Sequence, residues 1–214
     1  MRQNYSIILT GLLVFLTVLT VISVFSGCAG IQTKPADKNY FELQITVPAS
    51  APNSFFIGDP LLVRTFCINP AFDSHSFVYL IEKNEYVTDY YNEFIYSPTR
   101  LITEKIAENL YNSNHFKPAP TDSRQDITYL LSGKITRLYG DFQATNDPSA
   151  IIEIRMILKK NTGKAFQVIS SKTYLAQEPI LSRNPAHLVF GWNKGLAKIM
   201  AQFISDFSKT GLSK

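Results

Sequence analysis

Cysteine and histidine are the side chains of this sequence most able to bind a metal or act as nucleophiles, and there are few of them. The three histidines lie far apart: His75, His115 and His187. None has a Cys, His or Asp partner at the short spacing that a metal-binding element requires, so the sequence predicts no metal site. The two cysteines differ in setting. Cys28 follows a pair of small residues, whereas Cys67 lies in an apolar run, where a free thiol is expected to be buried as a small hydrophobe.

The residues before Cys28 have the order of a bacterial export signal. Arg2 is followed by an uncharged, largely apolar stretch over residues 7–24 and then by small residues, which is the order of a secretory leader. The tetrapeptide Phe25-Ser26-Gly27-Cys28 resembles the lipobox of bacterial lipoproteins, in which small residues let a peptidase bind the backbone closely. We therefore expect residues 1–27 to be a leader and Cys28 to be the lipid-bearing first residue. A membrane anchor that is not removed is the alternative.

A lipidated Cys28 would carry a diacylglycerol on its sulfur and an N-acyl chain such as palmitate. Two or three such chains hold a protein on a bilayer durably. Ala29 follows the cysteine, and in lipoprotein sorting signals a residue other than Asp at this place favours transfer to the outer membrane. We therefore expect a protein on the periplasmic face of the outer membrane. Residues 28–39 are predicted to be a lipidated tether and residues 40–214 a single domain, with no cofactor beyond the lipid.

No motif for catalysis is present in the sequence. There is no G-x-S-x-G elbow, and the segment Ser132-Gly133-Lys134 lacks the upstream glycine of a phosphate-binding loop. A carboxylate pair such as Asp89 and Glu93 could serve as acid and base, but exposed carboxylates of loops and helices are far commoner. The sequence therefore predicts a protein that is not an enzyme.

The segment from Tyr86 to Tyr96 is rich in aromatic residues and also contains acids. This mixture, placed just before a predicted helix, is typical of protein interfaces. A corner of the hydrophobic core is an equally weighted alternative. The residues expected to contact a partner are Tyr86, Asp89, Tyr90, Tyr91 and Phe94.

The charge of the chain is modest. The formal net charge at pH 7 is +4, which is too small to predict a polyanion as partner, so no nucleic acid is expected. Basic residues nevertheless gather in two places, which could contact anionic lipid or nucleic acid but more often are solvated faces of strands and a helix. The first group is Arg155, Lys159, Lys160 and Lys164, and the second is Lys194 and Lys198.

Strand patterns dominate the chain after the tether. Period-two alternation indicates half-buried strands, and the nearly continuous apolar run Leu61–Ile68 indicates a central one. Lys83-Asn84 and Asn161-Thr162-Gly163 each separate two strand-like runs, which predicts two hairpins and a meander toward the C-terminus. The expected strands lie over residues 41–47, 61–68, 77–82, 85–88, 127–139, 151–160 and 165–176.

Two helices are predicted between and after these strands. Ser97-Pro98 and Asn184-Pro185 each place a capping residue before a proline, which indicates a helix start. Gly191 and Gly195 in the second helix each cost about 1 kcal/mol relative to Ala, so a close packing contact is expected there. The order of elements predicts an α/β fold with a mixed, largely antiparallel sheet packed by two principal helices. The apolar stripe of the second helix is Leu188, Trp192, Leu196, Ile199, Phe203 and Phe207.

Three segments after the lipobox carry a resemblance to a known family. They are Leu62-Val63-Arg64, Phe77-Val78-Tyr79, and the residues Tyr86, Asp89, Tyr91 and Phe94 ahead of Pro98. With the lipobox, they resemble the ABC-type transport auxiliary lipoprotein family over residues 28–210. The resemblance implies a fold similar to the N-terminal domain of TolB and to anticodon-binding domains. It supplies no catalytic residue; only Cys28 maps with a chemical role, lipid attachment.

The resemblance implies a non-catalytic auxiliary subunit of an Mce-type ABC transport system, which moves lipids or organic compounds across the cell envelope. The partner would be the Mce-domain protein of the transporter, which works with a permease and an ATPase, and a homo-oligomer is possible. The alternative is a lipoprotein adaptor in lipopolysaccharide assembly or in the activation of a peptidoglycan synthase, because small α/β domains on a tether serve those roles as well.

Replacing Cys28 tests the anchor. In Cys28→Ala, expressed behind a leader that is removed, we expect a folded domain that no longer associates with membranes, because residues 29–214 contain no apolar stretch long enough to insert. Membrane flotation and the mass of the N-terminal peptide measure the outcome. Carbonate-resistant membrane association of this variant would contradict the anchoring scheme.

Overall fold

The computed structural model describes residues 37–45, 58–112, 115–120 and 126–209. The predicted leader and Cys28 lie outside these residues. Within them, nine strands form one mixed sheet on which two principal helices pack, which confirms the predicted α/β class. The elements in chain order are β1 (Asn39–Phe41), β2 (Pro60–Val63), β3 (Cys67–Ile68), β4 (Ser76–Glu82), β5 (Glu85–Phe94), α1 (Pro98–Asn112), β6 (Lys117–Pro118), β7 (Tyr129–Asp141), β8 (Ser149–Asn161), β9 (Phe166–Pro179) and α2 (Pro185–Lys209).

β7 is the centre of the sheet because it has neighbours on both of its edges. On one edge it pairs antiparallel with β8 along its whole length, and β8 pairs antiparallel with β9. The predicted meander is therefore confirmed. On the other edge β7 pairs in parallel with β2, β3 and β4 in succession. β5 and β1 extend the sheet beyond β4, and β6 extends it beyond β2.

The apolar run Leu61–Ile68 does not form the single strand that its pattern predicts. It forms β2 and β3, and the chain between them leaves the ladder because Phe66 turns inward. The Phe66 N–H donates to Thr103 Oγ1 of α1 at 3.0 Å. Its ring fills the space above Gly133 of β7, where a Cβ would lie 2.4 Å from Phe66 Cε2. A glycine in the central strand thus admits an aromatic ring that interrupts the neighbouring strand.

The strand predicted over 41–47 is also mostly absent. Of the residues in this predicted strand, only Phe41 belongs to a strand, β1. Residues 42–45 lie outside the sheet, and residues 46–57 are not among those that the structure describes. The alternating pattern reflects packing instead, because Leu43 is fully buried in the core. The N–H of Gln44 donates to Asn193 Oδ1 of α2 at 2.9 Å. This segment is therefore attached to a helix and not to a strand.

Trp192 of α2 joins the two halves of the sheet. Both predicted helices begin at their prolines, and all six residues of the predicted α2 stripe are buried. The Trp192 ring centroid lies 5.1 Å from that of Phe77 and 5.3 Å from that of Phe94. Its Nε1–H donates to the carbonyl oxygen of Ile151 at 3.1 Å. One side chain thus connects α2 with β4, β5 and β8.

α2 lies close to β8 and β9 because glycine occupies two contact positions. A Cβ on Gly191 would lie 2.6 Å from Ala150 Cβ and 2.7 Å from Ile180 Cγ2, and a Cβ on Gly195 would lie 2.9 Å from Ile152 Cγ2. Real Cβ atoms do not approach other atoms this closely. The predicted packing contact is therefore confirmed, and it explains why glycine, a poor helix former, occupies both positions.

The same contact encloses Glu178 of β9, which is only 1% exposed. Its Oε1 lies 2.6 Å from Lys198 Nζ and its Oε2 lies 3.6 Å from Lys194 Nζ, both on α2. An unpaired carboxylate at this depth would be costly. The second basic group of the sequence therefore neutralises a buried acid and is not free to meet a polyanion.

The strands β7, β8 and β9 have one face under α2 and one face on which no described α-helix packs. Successive residues of a strand point to opposite faces. In β8 the predicted inward set is buried: Ile152, Ile154, Met156 and Leu158. Arg155, between two of them, is exposed on the other face. Among the described residues, no α-helix packs against that second face, which we call the bare face. Near one end of it lies the short 3-10 helix Pro70–Phe72, whose Phe72 ring stacks on Tyr139 of β7 at a centroid distance of 5.7 Å.

Cys67 lies on the bare face and is exposed, in contrast to the prediction that it is buried. It belongs to the two-residue strand β3, where its register partner is Lys134 of β7. Register partners share a face of the sheet. The apolar neighbours of Cys67 in the sequence gave no sign of this, because alternation sends them to the opposite face.

Gly191→Ala should destabilise the fold although alanine is the better helix former. The added methyl group would overlap Ala150 and Ile180, and overpacking of this kind costs about 1–3 kcal/mol. Urea unfolding followed by circular dichroism measures the change. Gln202→Ala, at an exposed position of the same helix, is the control and should change the free energy of unfolding by less than about 0.5 kcal/mol. Equal effects of the two variants would show that the helix has room at position 191.

Candidate partner-binding surface

β5 displays three of the five residues predicted to contact a partner. Tyr86, Tyr90 and Tyr91 are 48%, 65% and 51% exposed. Two neighbours that the sequence did not single out, Tyr40 of β1 and Ile95 after β5, are also more than half exposed. The only feature of the sequence that could have marked these two residues as exposed is that they lie near strand ends. We call these five residues the β5 patch.

Phe94 points into the core and is not available to a partner, which corrects its predicted role. Its side chain is 2% exposed, and its ring centroid lies 4.7 Å from that of Phe77 and 5.3 Å from that of Trp192. The aromatic segment therefore contains both an exposed surface and a corner of the hydrophobic core, the two interpretations that its composition allowed. Its C-terminal end is a corner of the core, and its tyrosines form a surface.

Asp89 has a structural role in β5, where its carboxylate accepts four hydrogen bonds. Its Oδ1 accepts hydrogen bonds from the N–H groups of Tyr91 and Asn92 at 2.8 and 3.1 Å. Its Oδ2 accepts from the Tyr79 hydroxyl at 2.6 Å and from the Asn92 side-chain amide at 2.8 Å. A carboxylate engaged by four donors is held by the fold and contributes to a partner surface only indirectly.

These hydrogen bonds shape an irregularity that exposes the tyrosines. The register between β4 and β5 shifts next to Ser76, so β5 has extra residues there. Such a bulge bends a strand and re-aims its side chains. Tyr90 and Tyr91 lie in this irregular stretch with ring centroids 5.3 Å apart. The bulge explains why two consecutive residues of one strand are both exposed.

The hydrogen bonds also set the protonation states of Asp89 and Tyr79. Partial burial alone would raise the pKa of Asp89, but the hydrogen bonds from Tyr79, Asn92 and the backbone outweigh it and lower that pKa. The pKa of the Tyr79 hydroxyl is raised, first by burial and then by its bond to the carboxylate. Asp89 is therefore ionised and Tyr79 protonated at neutral pH.

Tyr86 lies at the other end of β5 and rests on a small aromatic cluster. Its ring stands edge-on to Phe72 at a centroid distance of 6.0 Å and to Tyr139 at 5.5 Å. A tyrosine supported in this way offers a large contact area and loses little conformational entropy on binding. Tyr86 is thus suited to anchor a partner.

β1 closes one side of the β5 patch and involves the end of the predicted tether. Lys38 Nζ lies 2.5 Å from Glu93 Oε1 and 4.7 Å from the ring centroid of Tyr90. Asn39 Nδ2 donates to Asn92 Oδ1 at 3.1 Å. The last two residues of the predicted tether over 28–39 therefore already contact the folded domain.

β1 covers only part of the β5 edge. It pairs with residues 92–94 of β5, so residues 85–88 have no strand on the side away from β4 among the residues that the structure describes. An open edge presents unpaired N–H and C=O groups that can bind another chain. The β5 patch therefore combines exposed aromatic rings with a free sheet edge.

The described part of the chain holds neither a metal-binding cluster nor a membrane-spanning helix. Over the described ranges, no group of three or more His, Cys, Asp or Glu could hold a metal ion. His187 Nδ1 instead lies 2.9 Å from Ser182 Oγ, near the start of α2. In the same ranges, no helix is both long and apolar enough to cross a membrane.

Solved structures share this fold at low sequence identity. No family model and no curated protein matches the sequence. A Xanthomonas campestris protein of the family DUF330 aligns with a TM-score of 0.69 and 16% identity over 81% of this chain and 96% of its own. An uncharacterised protein aligns with a TM-score of 0.64 and 14% identity over 80% of this chain and 99% of its own. These similarities establish the fold alone, and the likeness to TolB stays a prediction.

Asp89→Asn should destabilise the domain by about 1–2 kcal/mol at neutral pH, because the amide cannot accept all four hydrogen bonds. The lowered folded-state pKa means that the carboxylate contributes fully above its unfolded pKa of about 4 and loses this contribution as the pH falls through the folded value. The difference between wild type and variant should therefore narrow at acidic pH.

Urea denaturation at neutral pH and at about pH 3 measures this difference. Glu82→Gln, at an exposed carboxylate of the neighbouring strand, is the matched control and should leave stability unchanged at both values. A stability difference for Asp89→Asn that is the same at both pH values would contradict the role of the ionised carboxylate.

Proposed function

We propose that this chain is the lipid-anchored, non-catalytic auxiliary subunit of an Mce-type ABC transport system, on the periplasmic face of the outer membrane. The lipobox at Cys28 supports the anchor, and the family resemblance over residues 28–210 supports the transport role. The β5 patch is the observation that carries the proposal. It gives a tethered domain a defined surface with which to bind another protein.

The composition of the β5 patch suits a protein partner better than a small ligand. The β5 patch consists of four tyrosines and an isoleucine, about half to two-thirds exposed, on β1, on β5 and just after β5. Tyrosine is enriched among the residues that dominate binding energy at protein interfaces. The free edge at residues 85–88 can also pair with a strand of the partner, which adds backbone hydrogen bonds to the aromatic contacts.

The partner that we propose is the Mce-domain protein of the transporter, and the cargo is a lipid or organic compound. In this arrangement the domain performs no chemical step. The lipid on Cys28 holds it at the outer membrane, and the β5 patch binds the end of the Mce assembly. Association of the two would give cargo a defined place of transfer between assembly and membrane.

Site-specific photo-crosslinking in intact cells identifies the partner. A photoreactive amino acid replaces Tyr86 in one strain and Tyr91 in another. Phe190 on α2, which is 65% exposed and far from β5 in the chain, is the control position. We expect the Mce-domain protein in crosslinks from positions 86 and 91 but not from 190. Crosslinks to a peptidoglycan synthase or to a lipopolysaccharide-assembly protein would replace this proposal with the adaptor alternative.

Tyr86→Ala should weaken copurification of the Mce-domain protein by about tenfold, as expected for loss of an aromatic hot spot. Tyr86 is half exposed, so the fold should tolerate the change. Phe190→Ala removes a comparable exposed ring and is the matched control. Quantitative pull-down in a mild detergent measures both variants. Equal recovery from Tyr86→Ala and wild type would exclude Tyr86 from the interface.

A further inference from the structure

Two cations face each other on the bare face of the sheet without an acidic partner. Lys134 of β7 is the register partner of Arg155 of β8, so both side chains leave the same face of adjacent strands. Neither takes part in an ion pair with any described residue, and Arg155 Nη2 donates only to Ser171 Oγ at 3.3 Å. Like charges directly opposite each other destabilise a sheet. The fold therefore retains a pair that costs it stability.

The tertiary structure also divides the basic group that the sequence presents as one cluster. Lys159 shares the face of Arg155, because the two are an even number of residues apart in β8. Lys160 points to the other face, where its Nζ lies 5.7 Å from the ring centroid of Tyr129. The bare face therefore carries three cations, Lys134, Arg155 and Lys159, in addition to Arg137.

An acid on this face is already engaged. Glu153 Oε1 accepts a hydrogen bond from Thr136 Oγ1 at 2.6 Å and lies 3.7 Å from Arg137 Nε. It therefore compensates Arg137 and leaves the charges of the other cations unbalanced. The middle of the bare face is positive as a result.

Exposed apolar side chains lie beside these cations. Val168, the register partner of Lys159, is 52% exposed, and Leu175, the register partner of Glu153, is 48% exposed. Both belong to β9, so they share the face of their partners. Cations mixed with exposed aliphatic groups are typical of protein surfaces that bind anionic bilayers.

We propose that the bare face lies against the anionic phospholipid headgroups of the membrane to which the chain is anchored. The proposal rests on the lipid anchor of the proposed function. Lys134, Arg155 and Lys159 bind phosphodiester groups, and the Ser171 hydroxyl beside Arg155 supplies a further donor. The side chains of Val168 and Leu175 pass between the headgroups and contact the apolar region beneath them. The stability lost to the Lys134–Arg155 repulsion is regained when phosphate lies between the two charges.

The tether is long enough for this contact. Nine peptide units separate Cys28 from Asp37, and they span at most about 30 Å. The chain enters the sheet at β1, which is separated from β8 by three intervening strands, or about 19 Å at the usual strand spacing. A tether of this length lets the bare face reach the bilayer, which favours a membrane over an acidic protein as its occupant. β5 and β9 lie toward opposite edges of the sheet, with β4, β7 and β8 between them.

Cys67 provides a native probe of this surface. Its thiol is exposed opposite Lys134, and the sulfur of Cys28 is blocked by lipid. The lipidated full chain, labelled on Cys67 with an environment-sensitive dye, is placed on phosphatidylcholine vesicles with or without phosphatidylglycerol. We expect a blue shift and protection from an aqueous quencher only with phosphatidylglycerol, and loss of both at high salt. Cys67→Ser combined with Gln202→Cys places the dye on α2, where it should remain accessible.

Charge variants separate membrane contact from folding. Lys159→Gln and Lys134→Gln should each lower the ratio of protected to accessible dye about fivefold. Lys160→Gln removes the same charge one residue away on the opposite face and should leave the ratio unchanged. Lys134→Gln should also raise the melting temperature by about 1 °C or more, because it removes the repulsion with Arg155. A variant that is more stable and yet less protected cannot be explained by unfolding.

The outcomes distinguish this proposal from the one on which it rests. Protein that fails to float with the vesicles overturns the lipid anchor. Protein that floats but keeps its Cys67 dye accessible overturns the membrane contact and leaves the anchor in place. Protection that appears only after addition of the Mce-domain protein or of nucleic acid would assign the bare face to that partner and would also overturn the proposal.

Discussion

The close contact of α2 with β8 and β9 is the constraint on which the rest of the structure depends. Gly191 and Gly195 remove the side chains that would otherwise hold the helix away from Ala150 and Ile152. At that short distance Trp192 can reach Phe77 and Phe94 while its indole N–H binds a carbonyl of β8. One helix thus fixes the meander relative to the β4–β5 hairpin. Because α2 covers one face of the meander, the other face has no described α-helix over it.

The central strand determines where the sheet has free edges. β7 has thirteen residues, and β8 pairs with nearly all of them. On the other edge the length is shared among three short parallel strands, and β4 pairs only near the end of β7. β4, β5 and β1 therefore extend from that end, and the three residues of β1 are too few to cover β5. The free edge beside the tyrosines follows from this topology.

The two proposed surfaces use different physical interactions and lie on different parts of the sheet. The β5 patch is aromatic, and it is shaped by a carboxylate whose hydrogen bonds create a bulge. The bare face is cationic and partly apolar, and it contains a repulsion that the fold alone does not require. In the arrangement that we propose, the bilayer orients the tethered domain, and the domain binds a protein at its sheet edge. Neither surface needs a catalytic group.

The sequence determined those features that depend on neighbouring residues. Prolines after capping residues located both helix starts, the 3.6-residue stripe identified the buried side of α2, and alternation identified the meander. Tertiary structure decided what depends on distant residues. Phe66 of one segment breaks its own strand because Gly133 of another leaves space for its ring. The bulge at Asp89 re-aims the side chains of β5, so that Tyr91 is exposed and Phe94 is buried. The meeting of Lys134 with Arg155 and Cys67 is a matter of strand register, which relates residues far apart in the chain and is fixed only when the core packs.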